Sequence, residues 1–127
     1  MSDPLSAAAS AAEIVAAVKA GQVKARSVAE AALARIEKHN GTLGAFTDVT
    51  AMRAIDAAEL VDGKIANGLD PGPLAGVHYA VKNLFDVKGL PTRAGSKINR
   101  DLPPASRDAT LIERMEAHGA VLVGALN

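Results

Sequence analysis

Apolar positions along this chain recur first with a helical period and then with a strand period. From about Ala7 to Ala20 an alanine-rich stretch carries Ile14, Val15 and Val18 on one stripe. Gly21 closes it, which predicts a helix with one buried face. Ser27, with Glu30 three residues on, reads as a capping box that opens a second helix. That helix runs to about His39 and stops at Asn40-Gly41. Leu43 to Val49 reads as a short extended piece, and a third helix follows from about Thr50 to Ala66, ending at Asn67-Gly68. The loop Asp70-Pro71-Gly72-Pro73 marks a change of pattern. Beyond it Val77 to Lys82 alternates as a strand, with Val77, Tyr79 and Val81 on one face and His78, Ala80 and Lys82 on the other. A loop through Pro91 and Gly95 follows, then a helix capped by Asp108 and running to His118, then an apolar strand from Ala120 to Leu126. Helix then strand at this spacing predicts parallel α/β packing. Residues 1–70 are expected as a helical region and residues 71–127 as the start of an α/β core.

Composition changes the picture in one respect. The chain is 49% hydrophobic but only 2% aromatic, with much of the apolar share in alanine. Alanine buries little area per residue, so a core built on Phe46, Tyr79, Phe85 and scattered Leu, Ile and Val is expected to be thin. The terminal strand is apolar on both faces and calls for cover on both sides. Few elements in the sequence are available to give it, so exposed apolar surface or a missing partner segment is expected.

Charge and cysteine narrow the functions. Fourteen Lys and Arg balance fourteen Asp and Glu. There is no basic stripe with interleaved aromatics, so nucleic acid is not an expected partner. Cysteine is absent, which removes disulfide and thiolate-metal chemistry. No apolar stretch approaches a membrane span, and no basic stretch followed by an apolar run suggests a signal peptide. A cytoplasmic protein without cofactor or metal is the expectation. His39, His78 and His118 share no metal-binding spacing, and His39 and His118 read as helix-end residues that complement the dipole. Asp86 and Asp108 read as loop and cap residues.

The residue that stands out is Lys82, a cation at the end of an apolar strand. A lysine half out of water has its charged form disfavoured. At its ordinary value near 10.4 the amine is neutral about once in 2,500 molecules at pH 7, and bringing it to about 7 takes roughly 4–5 kcal/mol. A lysine so tuned can act as a base beside a serine nucleophile. A strand-end lysine can equally snorkel to solvent, and spacing leaves both readings open.

The blocks Gly72-Pro73-Leu74-Ala75-Gly76, VHYAVKNLFDVKGLPTRAGSK, Pro103 to Thr110 and Ala117 to Gly124 resemble, in order and spacing, the N-terminal part of the amidase signature family. The resemblance covers residues 72–127, and helical residues 6–70 also fit. Val81-Lys82-Asn83-Leu84-Phe85-Asp86 and Ala94-Gly95-Ser96-Lys97-Ile98-Asn99-Arg100 look closest to its carboxybiuret hydrolase branch. The resemblance implies an α/β fold seen in its N-terminal portion, with Ala-rich helices followed by strands of a mixed sheet, incomplete as given. It implies a Ser–cis-Ser–Lys triad with the lysine at Lys82, and it places the Ser96 segment beside the active site, where Ser96 could contact substrate. Ser96 also reads as a turn serine bonding its own backbone. Asn83 stands where many members carry aspartate, and His78 where many carry proline; Asn83 weakens any statement on fine specificity.

No Gly-Gly-Ser-Ser cluster occurs in the 127 residues, so both serines are expected beyond them and this chain alone is expected to be inactive. The implied partners are a small amide substrate and the remainder of the amidase core. A second copy in a homodimer is implied as well, and so is a small helical accessory subunit. Two other functions compete with a small-amide hydrolase. One is a glutamine amidase of the amidotransferase type that serves mischarged tRNA, and the other a non-catalytic helical interaction module.

Overall fold

The structure is a computed structural model that describes residues 3–127. Its elements run α1 (Ala11–Lys19), α2 (Ala25–Leu43), β1 (Phe46–Val49), α3 (Ala51–Ala66), β2 (His78–Lys82), one 3-10 turn (Lys97–Asn99), α4 (Thr110–Ala117) and β3 (Val121–Leu126).

The capping chemistry differs from the sequence expectation at three helix starts. α1 begins at Ala11, not Ala7, because Ser10 is extended and closes a reciprocal box. Its Oγ accepts from the Glu13 N–H at 3.1 Å, and the Glu13 carboxylate accepts from the Ser10 N–H at 2.9 Å. α2 begins ahead of Ser27, so the box expected there does not form. The carboxylate of Asp62, from α3, accepts from the Ala25 and Arg26 N–H groups at 2.7 and 3.1 Å. Glu30 turns instead to the Arg26 side chain, one helical turn back. Asp108 does not cap α4 either, since the cap residue is Ala109.

The three strands form a mixed sheet in the order β1-β3-β2, with β2 parallel and β1 antiparallel to β3. Each pairing against β3 carries one irregularity, between Tyr79 and Ala80 of β2 and between Phe46 and Asp48 of β1. The parallel pair is the one expected from helix-then-strand spacing. The short extended piece after α2 is its antiparallel neighbour.

β3 is covered on both faces as far as Ala125, with Leu126 partly buried, contrary to the shortage anticipated from composition. Val121, Leu122, Val123 and Ala125 are all buried. α1, α2 and α3 press Ile14, Val18, Val28, Ala54 and Ala58 onto the face carrying Val121 and Val123, and Ile112 of α4 packs with Leu122, Val81 and Val87 on the other. Alanine makes this possible by letting helices lie close to the sheet. The aromatics sit at the margins, with Phe46, Tyr79 and Phe85 only partly buried. Val77 precedes β2 and packs with the helical cluster, on the side of Ala80 rather than of Tyr79 and Val81. Exposed apolar side chains are present as expected, with Leu43, Met52, Leu60 and Ile98 all open to solvent.

Two glycines lock α4 to the chain before β2. Gly72 (φ +99°) and Gly119 (φ +93°) meet backbone to backbone. A Cβ on Gly72 would stand 2.3 Å from the His118 carbonyl oxygen, and one on Gly119 would stand 2.4 Å from that of Pro71. That close approach lets the Leu74 N–H donate to His118 at 2.8 Å and the Gly76 N–H to Gly119 at 2.9 Å, which brings β2 alongside β3.

Candidate functional site

β2 delivers Lys82 and Asn83 to the C-terminal edge of the sheet, and their environments are opposite. Lys82 is exposed, so the described residues leave its amine open to water rather than half covered. Asn83 is 4% exposed and is the one buried polar or charged residue among those described. Its backbone continues the parallel ladder, the N–H donating to the Leu126 carbonyl at 2.8 Å.

Every polar group of Asn83 is engaged. Nδ2 donates to Thr47 Oγ1 at 2.7 Å and lies 3.3 Å from Asp48 Oδ2. Oδ1 accepts from the Arg93 N–H at 2.7 Å, and the backbone carbonyl accepts from the Ala94 N–H at 2.8 Å. Thr47 sits at the irregularity of β1. A residue displaced from the regular ladder can aim its side chain along the strand edge, and here the hydroxyl also meets Asp48 and the Ala125 carbonyl. Ala94 holds a left-handed backbone (φ +49°), the one non-glycine residue described that does so. Such a conformation costs an alanine about 1–2 kcal/mol, and the Asn83 carbonyl is the group that engages its N–H.

Around this hub lies a hollow of about 200 Å³, bordered by Thr47, Asn83, Arg93, Ser96, Lys97 and Arg100. Ser96 Oγ accepts from the Ile98 N–H at 3.2 Å, capping the 3-10 turn, so the serine makes the turn bond and also faces the hollow. Arg93 stands 3.7 Å from Asp48 and buries an Nε without a hydrogen-bond partner among the described residues. Lys82 and Ser96 therefore belong to adjoining segments, joined through Asn83.

The remaining titratable residues divide plainly. Burial, with Arg35 nearby, lowers the His78 imidazole below its usual range, and its Nδ1 is buried unpartnered among the described residues. Tyr79 is shifted upward by burial, with Glu116 adding to it. Asp108, expected as a cap, instead binds Arg53 of α3 through both oxygens at 2.8 Å, and it also accepts from the Lys88 N–H. The Arg53 hydrogen bonds hold its carboxyl below the usual range. Glu116 completes the cluster. Asp86 accepts from the Thr92 hydroxyl, a loop role as expected. His118 caps α4 with Nδ1 2.6 Å from the Arg114 carbonyl, whereas His39 lies a turn inside α2, which runs on to Leu43. No group of three potential metal ligands occurs among the described residues.

Sequence reading pointed to Lys82 and Ser96 and passed over the roles of Asn83, Arg93 and Arg53. An asparagine directly after an apolar strand was the available signal for the first, since burying a carboxamide requires partners for both of its ends. Nothing local announced the other two, whose partners lie far away along the chain.

Residues 27–127 match the family model of the amidases. The chain is 51% identical over 115 residues to the AtzE component of the 1-carboxybiuret hydrolase of Pseudomonas sp. (strain ADP), covering 91% of this chain and 25% of that protein. It is 49% identical over 116 residues to the A-type component of the glutamyl-tRNA(Gln) amidotransferase of Anaeromyxobacter dehalogenans (strain 2CP-C), covering 91% and 23%. Among solved structures, that of an s-triazine catabolic enzyme, described with a vestigial protein complex, superposes with a TM-score of 0.92. The identity is 50%, and the match covers 94% of this chain and 26% of the other. The chain thus spans about a quarter of the length of the relatives it matches.

Proposed function

From the premise that this chain belongs to the amidase family, we propose that it is the lysine-bearing portion of a hydrolase that cleaves a carbon–nitrogen amide bond of a small substrate, with Lys82 as the base. The observation that carries this reading is the placement of Lys82. Lys82 stands exposed at the C-terminal edge of a strand parallel to its neighbour, and the next residue, Asn83, borders a hollow built from the Arg93–Arg100 segment. Ligands of α/β sheets characteristically bind outside the carboxyl ends of such strands.

In this mechanism two serines come from the remainder of the amidase core. The oxygen of one forms a bond to the amide carbonyl carbon. Its proton passes through the bridging serine to the deprotonated Lys82 amine. Backbone N–H groups stabilise the oxyanion. The C–N bond then breaks as the proton returns along the same path to the leaving ammonia or amine, and water hydrolyses the acyl-serine ester. Ser96, facing the hollow, is assigned a substrate contact. Residues 71–127 are the start of the catalytic core, and residues 1–70 supply the helical layer that packs on it through Val18 and Val28 together with an edge strand of its sheet, β1. The Ser–Ser–Lys relay needs the rest of the protein, so the 127 residues alone are inactive. A cytoplasmic setting, a homodimer and a small helical accessory subunit follow from the same family reading; no helix among the described residues is long and apolar enough to cross a membrane.

A glutamine amidase of the amidotransferase type is the second reading, favoured by the 49% identity to the amidotransferase component. Release of ammonia from glutamine by the complete protein would single it out. For the base assignment, Lys82→Ala in the complete enzyme is expected to abolish amide hydrolysis while leaving the thermal midpoint near that of the parent. Lys82→Arg is expected to fail as well, because a guanidinium stays protonated. Turnover by Lys82→Arg within tenfold of the parent would mean that the residue only positions the loop.

A further inference from the structure

We propose that Asn83 is the positioning residue of this site, holding Lys82 in register with the Arg93–Ser96 turn, and that Asp48 is what requires an amide at that position. The kinetic part of this inference rests on the amide-hydrolase reading of Lys82; the structural part does not.

Three segments meet at one buried side chain, one of them distant in sequence. Thr47 and Asp48 come from β1, Asn83 from the end of β2, and Arg93 and Ala94 from the loop beyond. The backbone N–H of Asn83 adds the end of β3 through Leu126. The Asn83 backbone is covalently continuous with Lys82, so any shift of this hub moves the amine relative to Ser96. A carboxamide suits the position because its two ends face opposite demands. The Oδ1 end meets a donor, the Arg93 N–H. The Nδ2 end meets two acceptors, the Thr47 hydroxyl oxygen and the Asp48 carboxylate.

An aspartate here would keep the first bond, could hold Thr47 only if that hydroxyl turned to donate to it, and would lose the bond to Asp48. Its second oxygen would face Asp48 Oδ2 from the present 3.3 Å, and two carboxylates at that range do not both ionise comfortably. The opposing cation in contact with this pair is Arg93, 3.7 Å from Asp48, with Lys97 and Arg100 bordering the same hollow. Exchanging the two residues restores complementarity. The carboxamide, now on β1, would donate to the carboxylate at the end of β2, Thr47 could turn its hydroxyl to donate as well, and the net charge would be unchanged.

The test uses the complete protein and three variants, Asn83→Asp, Asp48→Asn and the double variant. Amide hydrolysis is measured alongside hydrogen exchange at the Arg93 and Ala94 amides. Asn83→Asp is expected to lose at least 100-fold in kcat with KM changed less than threefold, and the Ala94 amide is expected to exchange at least tenfold faster. The double variant is expected to recover to within about fivefold of the parent in both readouts. An Asn83→Asp enzyme as active and as protected as the parent overturns the proposal. So does a double variant no better than Asn83→Asp, including the case in which both fail to fold. If the parent itself hydrolyses no amide, the hydrolase reading fails on its own, and the exchange pattern still decides whether Asn83 and Asp48 act as a pair.

Discussion

At the scale of single residues, the tightest constraint near the site is Gly124 in β3. A Cβ there would meet the Asp48 carbonyl oxygen at 2.4 Å and the Phe46 ring at 2.6 Å. β1 can lie against β3 only because this position has no side chain. Gly124→Ala is therefore expected to push β1 outward and to destabilise the protein by about 1–3 kcal/mol, the usual cost of overpacking. Chemical denaturation of the complete protein checks the magnitude. Movement of β1 also carries Thr47 and Asp48 away from Asn83, so the Arg93 and Ala94 amides should lose protection together. A change below about 0.5 kcal/mol, the range of an unremarkable surface substitution, would mean that the strand pair is more yielding than its close contacts indicate.

At the scale of elements, the start of α2 separates what the sequence suggests from what the fold does. Ser27 and Glu30 have the spacing of a capping box, yet Ser27 lies inside the first turn of α2 and Asp62 of α3 takes the free N–H groups. A carboxylate at that end is favoured by hydrogen bonding and by the helix dipole. Asp62→Ala is expected to cost roughly 1–2 kcal/mol, whereas Ser27→Ala should stay within about 0.5 kcal/mol of the parent. Thermal or urea unfolding of the two variants side by side distinguishes them. The reverse order would restore the local box and remove the link between α2 and α3.

At the scale of the whole molecule, the Arg53 cluster ties the helical layer to the loop and helix on the far side of the sheet. Arg53 projects from α3 and binds Asp108 and Glu116, while Asp108 also receives the Lys88 N–H. Removing the guanidinium leaves two partly buried carboxylates without their cation. Arg53→Ala is expected to cost roughly 2–4 kcal/mol, somewhat below the loss of a partner from a fully buried pair. The pH dependence has a definite sign. Asp108 titrates lower in the folded protein than in the unfolded chain, so the unfolded state binds the extra proton as acid is added. Its contribution is present above about pH 4 and is lost as pH falls through the lower folded value. Stability profiles from neutral pH down into the carboxylate range should fall more steeply for the parent than for Arg53→Ala. Parallel profiles would show that the pair contributes no pH-linked stability.

Local pattern was enough for much of this protein. The stripe Ile14–Val18, the stop at Asn67-Gly68 and the strands ending at Lys82 and Leu126 are legible because helix and strand periods depend on near neighbours. The motif text around Lys82 carried the family, which the match over residues 27–127 shows. Tertiary structure decided the rest. Which residue caps α2, whether Asp108 caps a helix or binds an arginine, and whether β3 finds cover all depend on groups brought from distant parts of the chain. Asn83 is the clearest case. Its sequence neighbours say only that a strand is ending, whereas its function as a hub comes from Thr47, Asp48, Arg93 and Ala94, which only the folded chain brings within hydrogen-bonding distance. Periodicity is a property of neighbours along the chain, but the burial of a polar group needs partners, and only the fold supplies them.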